Sequence, residues 1–92
     1  DKYEVQSNRE SGYGRYDVMI IPRDKNSQAV IIEFKVIDPQ EEVSLDMTAD
    51  SALKQIEEKN YDVKLLERGY KREAIQHYGF AFEGKKVLIK KA

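Results

Sequence analysis

The sequence predicts an α/β fold with its elements in the order β-β-α-α-β-β. Three observations predict it. Two apolar runs rich in β-branched residues, Tyr16 to Ile21 and Ala29 to Ile37, are separated by a short polar turn. A segment with helical spacing follows, and the chain then returns to strand-like alternation before its end.

In chain order, the first dozen residues are polar, with Tyr3 to Gln6 a candidate for a further strand. Ser11-Gly12-Tyr13-Gly14 supplies two permissive backbone positions just before the first apolar run. That run ends at Pro22, which has no N–H to give to a ladder. Arg23 to Gln28, with Asp24, Asn26 and Ser27, reads as a turn. Ala29 to Ile37 is the strongest strand, and it is apolar at both odd and even positions, which predicts a central strand covered on both faces. Asp38-Pro39 closes it. Leu45, Ala49, Ala52, Leu53 and Ile56 then fall on one stripe of an amphipathic helix from about Ser44 to Lys59. Tyr61 to Arg68 reads as a shorter helix carrying Leu65 and Leu66, with Gly69 as its cap. Glu73 to Phe82 alternates weakly through Ile75, Tyr78, Phe80 and Phe82, and Glu83-Gly84-Lys85 is a tight turn into a last strand at Val87-Leu88-Ile89. There is no internal repeat and no low-complexity linker, so residues 1–92 read as a single domain.

Composition removes several function classes. The chain has 92 residues, 40% hydrophobic and 36% charged, with 16 basic and 17 acidic residues and a net charge of −1. A pI of 5.9 provides no global pull toward nucleic acid, so such binding needs a local surface. The absence of cysteine excludes disulfides, thiolate catalysis and cysteine-ligated metals, and a single histidine excludes multi-histidine metal sites within the chain. No apolar run approaches the ~20 residues of a membrane helix and no signal peptide opens the chain, which predicts a reducing, cytoplasmic setting. The sequence begins at Asp1 rather than methionine and is expected to be a piece of a longer polypeptide.

One feature breaks the hydrophobic pattern. Glu33 and Lys35 interrupt the best strand and, two residues apart, project from the same face. A charge on a covered strand costs several kcal/mol unless it is paired or metal-bound. A connection from Pro22 to Gln28 sets Met19 opposite Ile31 and Val18 opposite Ile32. It also sets Asp17 opposite Glu33 and Arg15 opposite Lys35. Facing carboxylates repel, but they become favourable around a divalent cation such as Mg²⁺, which prefers oxygen and is held by one or two carboxylates. Lys35 would then orient an attacking water or neutralise charge on a phosphate. The alternative is a checkerboard of salt bridges among Arg15, Asp17, Glu33 and Lys35 on a solvated sheet face.

Gly12-Tyr13-Gly14-Arg15-Tyr16-Asp17, a hairpin and then Ile32-Glu33-Phe34-Lys35 resemble the core of the PD-(D/E)XK nuclease superfamily. Ala52-Leu53-Lys54-Gln55-Ile56, Lys59-Asn60-Tyr61, Tyr78-Gly79-Phe80-Ala81-Phe82 and Gly84-Lys85 are similar to one of its branches. That branch is the nuclease-like domain at the C-terminal end of bacterial AAA-ATPase-like proteins. The resemblance implies a restriction-endonuclease-like core, a mixed central sheet flanked by helices, with a Mg²⁺-dependent site for cleaving DNA in which Mn²⁺ is the alternative ion. It implies Asp17 and Glu33 as metal ligands with the Phe34 carbonyl as a third, Lys35 as the catalytic lysine, and Gln55 placed on the helix to touch the site or substrate. It further implies an ATPase domain upstream on the same polypeptide. The sequence departs from the family pattern in having Tyr16 rather than proline before Asp17, and no N-terminal helix to bring a further acid. Glu10 is the candidate stand-in for that acid. Gln55 and Tyr61 are also further apart than the common glutamine–three–tyrosine spacing.

The remaining conspicuous residues have plainer readings. His77 is expected to be packed or exposed rather than catalytic, and most of the tyrosines are expected in the core and at its rim. Lys85, Lys86, Lys90 and Lys91 are expected to protect an edge strand. Two other functions compete with DNA hydrolysis. One is a catalytically inactive interaction module attached to an ATPase domain, and the other is a nucleic-acid binder without cleavage. The missing helix also predicts an exposed apolar patch and, as a by-product, a homodimer.

Overall fold

A hairpin opens the chain: β1 (Tyr3–Ser11) pairs antiparallel with β2 (Gly14–Pro22) across a two-residue turn. The structure is a computed structural model describing residues 2–92. Gly12 leads the turn at φ +60°, the conformation that glycine adopts without a Cβ penalty and that a tight hairpin of this hand requires. β1 is thus a full nine-residue strand, longer than the stretch from Tyr3 to Gln6 expected from the residue pattern, because its edge position lets it stay polar.

β2 continues antiparallel into β3 (Ala29–Val36), with Val18 opposite Ile32 and Met19 opposite Ile31, the register expected from the connecting loop. The chain then crosses over through α1 (Leu45–Glu58) and α2 (Val63–Glu67), followed by a single 3₁₀ turn at Arg72–Ala74. β4 (Ile75–Glu83) returns parallel to β3, and β5 (Lys86–Lys91) closes an antiparallel hairpin on β4. The result is a five-stranded mixed sheet in the order β1-β2-β3-β4-β5. This α/β arrangement is compatible with a restriction-endonuclease-like core.

Local chemistry fixes the helix ends. Ser44 caps α1, its Oγ accepting the Met47 N–H at 3.4 Å. The helix ends at Lys59, and Asn60 at φ +54° turns the chain back beneath it. Thr48, Ala49, Ala52 and Ile56 form its buried stripe. α1 sits close to the sheet because Gly79 of β4 has no side chain: a Cβ there would lie 2.6 Å from the Ala49 carbonyl. Lys90 of β5 ties down the outer edge of the helix through Asp46 at 3.0 Å and Asp50 at 2.8 Å. An edge-strand lysine therefore has a partner as well as a protective position.

Both helices lie on one face of the sheet. Between them and the strands sits a core built on Tyr16, Met19, Ile31, Ile56, Tyr61 and Leu65. Of the tyrosines, Tyr16, Tyr61 and Tyr70 are buried while Tyr13 is exposed. The expectation that Ala29 to Ile37 is covered on both sides is not met. Ala29, Ile31 and Glu33 are buried, whereas Phe34 and Val36 on the other face are exposed, and no element among the described residues covers them. Sequence alternation reports apolar character but not which side has a neighbour. Among the described residues, no helix is long and apolar enough to cross a membrane.

The hairpin tip is docked as well as turned. Tyr13 N–H donates to the Lys59 carbonyl at 2.8 Å and Ser11 Oγ donates to the Tyr61 carbonyl at 2.7 Å. A Cβ on Gly12 would stand 2.3 Å from both the Lys59 and Asn60 carbonyls, whereas one on Gly84, at φ +58°, meets nothing within 4 Å. Gly84→Ala is therefore expected to cost only the left-handed penalty of about 1 kcal/mol, and Gly12→Ala about 2–4 kcal/mol because overpacking adds to it. Urea denaturation of the two variants measures the difference, and equal losses would show that the docked tip contributes nothing.

Candidate active site

The site forms where β2 and β3 part. Their ladder runs only from Ile20↔Val30 to Val18↔Ile32. At the next position the Asp17 carboxylate replaces the backbone partner, its Oδ2 accepting the Phe34 N–H at 2.8 Å. On the β1 side the ladder is also interrupted: Ser7↔Val18 and Arg9↔Tyr16 pair, while Asn8 between them has φ +53°. Strict alternation would put Tyr16 and Val18 on one face. Tyr16 is instead buried with Met19, three residues on, so the strand changes face through Asp17 and Val18.

The fork corrects part of the expected register. Asp17 and Glu33 meet by side chain rather than as ladder partners, and Arg15 does not face Lys35. Arg15 pairs with Glu10 in the first hairpin, and both are exposed. A four-residue checkerboard of salt bridges therefore does not form. Glu10 does not supply a third acid: among the described residues no group of three His, Asp or Glu side chains could hold a metal ion. It lines a separate groove with Asn60, Lys64 and Glu67.

Glu33 is the unusual group, 4% exposed beneath α1. Its Oε2 accepts a hydrogen bond from the Gln55 Nε2, and its Oε1 is buried with no hydrogen-bond partner. Burial pushes its carboxyl from 4.5 up to about 7, the charge of Asp17 adds to the rise, and the charge of Lys35 opposes it. Lys35 is half-buried on the same face of β3. Gln55 is itself held: its Nε2 also donates to the Tyr61 hydroxyl at 3.2 Å, and that hydroxyl donates to the Arg15 carbonyl at 2.8 Å. The long Gln55–Tyr61 spacing still brings the two side chains together, because the helix has ended and the turn at Asn60 folds Tyr61 back underneath.

Three of the sequence candidates, Asp17, Lys35 and Gln55, thus gather around a fourth, the buried carboxylate of Glu33. The fifth, the Phe34 carbonyl, leaves its strand on the same edge as its N–H, toward the fork, as extended geometry requires. The donor set suits a hard divalent cation, with two carboxylates, a main-chain oxygen at the fork and one buried oxygen without a partner. Two contacts were missed by sequence reasoning, the Asp17–Phe34 bond and the support of Gln55 by Tyr61. The one hint of the second lay in Asn60, a residue that tolerates the left-handed turn. His77 is packed, as expected, with its Nε2 2.6 Å from Asp62 Oδ1; Arg72 also reaches Asp62, at 3.2 Å.

The raised Glu33 pKa makes a directional prediction. An unfolded glutamate ionises near 4.5 and the native one near 7, so the native state holds more protons between these values. Stability of the metal-free protein therefore falls as pH rises through that window, and the penalty is complete above it. Glu33→Gln removes the titration. Between pH 4 and pH 8 the wild type is expected to lose on the order of 2 kcal/mol more than this variant. Urea midpoints at the two pH values measure this, and parallel losses would remove Glu33 as the titrating group.

No curated protein and no solved structure matches the chain. A family model does, and its match extends past the fork and α1 to both ends of the sequence. With residues 1–92 matched in full, the chain belongs to the PD-(D/E)XK nuclease superfamily.

Proposed function

We propose that this domain hydrolyses DNA phosphodiester bonds with Mg²⁺, Mn²⁺ serving as the alternative ion. In this reading Asp17, Glu33 and the Phe34 carbonyl hold the ion, and the domain acts with an ATPase domain upstream on the same polypeptide. The observation that carries the reading is the unpartnered, buried Oε1 of Glu33 beside a second carboxylate and a lysine. A bound cation would satisfy that oxygen and relieve the repulsion between the two acids. The alternative, an inactive interaction module attached to an ATPase domain, gives no reason for keeping so costly a group.

The chain's own residues divide the work. Asp17 is held in place by the Phe34 N–H, so its orientation is set before any ligand arrives. Gln55 occupies Glu33 Oε2 and leaves Oε1 as the free donor, and Tyr61 fixes the carboxamide that does this. The Lys35 ammonium neutralises charge that builds on the phosphoryl oxygens and orients the attacking water. The ion, when bound, acts as a Lewis acid on the phosphate and makes water a stronger nucleophile.

Incubating the chain with plasmid DNA and Mg²⁺ tests the assignment. Glu33→Ala and Lys35→Ala are each expected to slow cleavage by about 10²-fold or more. Equal cleavage by wild type and both variants would reject these roles, and cleavage by none, with Mg²⁺ or Mn²⁺, would favour the inactive module. A second readout is thermal. Mg²⁺ is expected to raise the melting temperature of the wild type but not of Glu33→Gln, because a ligand of the native state stabilises it. Protons compete for a carboxylate of pKa about 7, so the rise should be larger at pH 8 than at pH 6. A pH-independent shift would place the ion elsewhere.

A further inference from the structure

We infer that the tip of the first hairpin and the end of α1 form a subsite for an unpaired nucleotide beside the fork, Lys59 holding its phosphate and Tyr13 stacking on its base. The inference rests on the reading of the fork as a phosphodiester site and names the form of strand that reaches it. The Lys59 side chain has a defined course. A Cβ on Gly14 would stand 3.3 Å from Lys59 Cδ and 3.3 Å from the Tyr61 hydroxyl. The lysine stem therefore runs over the glycine, next to the hydroxyl that fixes Gln55. Gly14 is not in the left-handed region, so its backbone does not call for glycine, and the room it leaves is taken by this stem. Among the described residues no carboxylate pairs with the Lys59 ammonium.

Tyr13 is presented from the same point. Its N–H donates to the Lys59 carbonyl at 2.8 Å, while its side chain is 78% exposed, the most of any described aromatic residue. A bare aromatic ring beside a cation is the combination that holds single strands, because a base inside a duplex already has both faces stacked. Tyr13 and Asp17 are four residues apart, at most about 14 Å of extended chain, which spans about four nucleotides at 3.4 Å of rise. Charge sets the side on which the strand lies. On the β3 side of the fork, the hollow of about 450 Å³ next to Lys35 is lined by Asp38, Glu41 and Glu42, which repel a polyanion. Lys59 and Tyr13 lie on the β2 side. The groove behind the tip sets Glu10 and Glu67 beside Lys64, which confines the subsite to the tip itself.

Fluorescence anisotropy with a labelled DNA single strand and its blunt duplex, both in EDTA, measures binding without cleavage. The chain should bind the single strand at least tenfold tighter than the duplex. Lys59→Ala should weaken that binding at least threefold and lower the slope of log affinity against log salt by about 0.7, the share of one phosphate on a single strand. Lys59→Arg should restore both. Tyr13→Ala should weaken single-strand binding at least fivefold and leave the salt slope and duplex binding unchanged. Both alanine variants keep the backbone groups of the docking bond, and an unchanged circular dichroism spectrum checks that they fold. Lys86→Ala, which removes the same charge at the far edge of the sheet, should change nothing. No binding at about 100 μM, equal affinity for strand and duplex, or a Lys59→Ala slope matching that of Lys86→Ala would overturn the inference. If the shifts occur but no DNA is cleaved with Mg²⁺ or Mn²⁺, the hydrolysis reading fails and the subsite stands. Glu33-dependent cleavage with none of these shifts sinks the subsite alone.

Discussion

The bond from the Phe34 N–H to the Asp17 carboxylate is the interaction on which the arrangement of the site depends. A strand that leaves its neighbour exposes backbone donors that cost free energy unless something else takes them up. Here a side chain does so, and it is the side chain that the site needs in place. One contact therefore ends the β2–β3 ladder and orients Asp17. It also holds open the gap toward which the Phe34 carbonyl points. A fully zipped pair would have closed that gap with main-chain bonds.

Around the fork, the protein tolerates an electrostatic conflict. Glu33 is buried, lies near another acid and has one oxygen without a partner, yet Gln55 and Tyr61 form a chain of bonds that fixes its other oxygen. This is local destabilisation supported by a well-packed neighbourhood, the usual condition of groups tuned for chemistry. The support comes from the end of α1, which in turn is fastened by the hairpin tip at Lys59 and by Lys90 at its outer edge.

How much of this was legible in the sequence follows from what periodicity encodes. Met19 opposite Ile31 and Val18 opposite Ile32 were readable because a short turn leaves little choice of register. The fork just beyond them was not, since a side chain substituting for a backbone acceptor leaves alternation unchanged. Glu33 and Lys35 stood out because charge in an apolar strand needs a cause. β1 was largely hidden, because an edge strand can carry Glu4, Arg9 and Glu10 without penalty. The apolar residues at both odd and even positions of β3 suggested cover on two sides, but hydrophobicity records a tendency to be covered and not the presence of a cover.

The close seating of α1 on Gly79 has a consequence for how the gene can vary. Gly79 is the β4 residue paired with Glu33, and the helix that carries Gln55 rests on it. The thickness of the layer over the acid is thus set by a missing methyl group. Among the positions under the strictest selection should be one with no side chain and no part in the chemistry, and drift there would lift the lid of the site while leaving every reactive group intact.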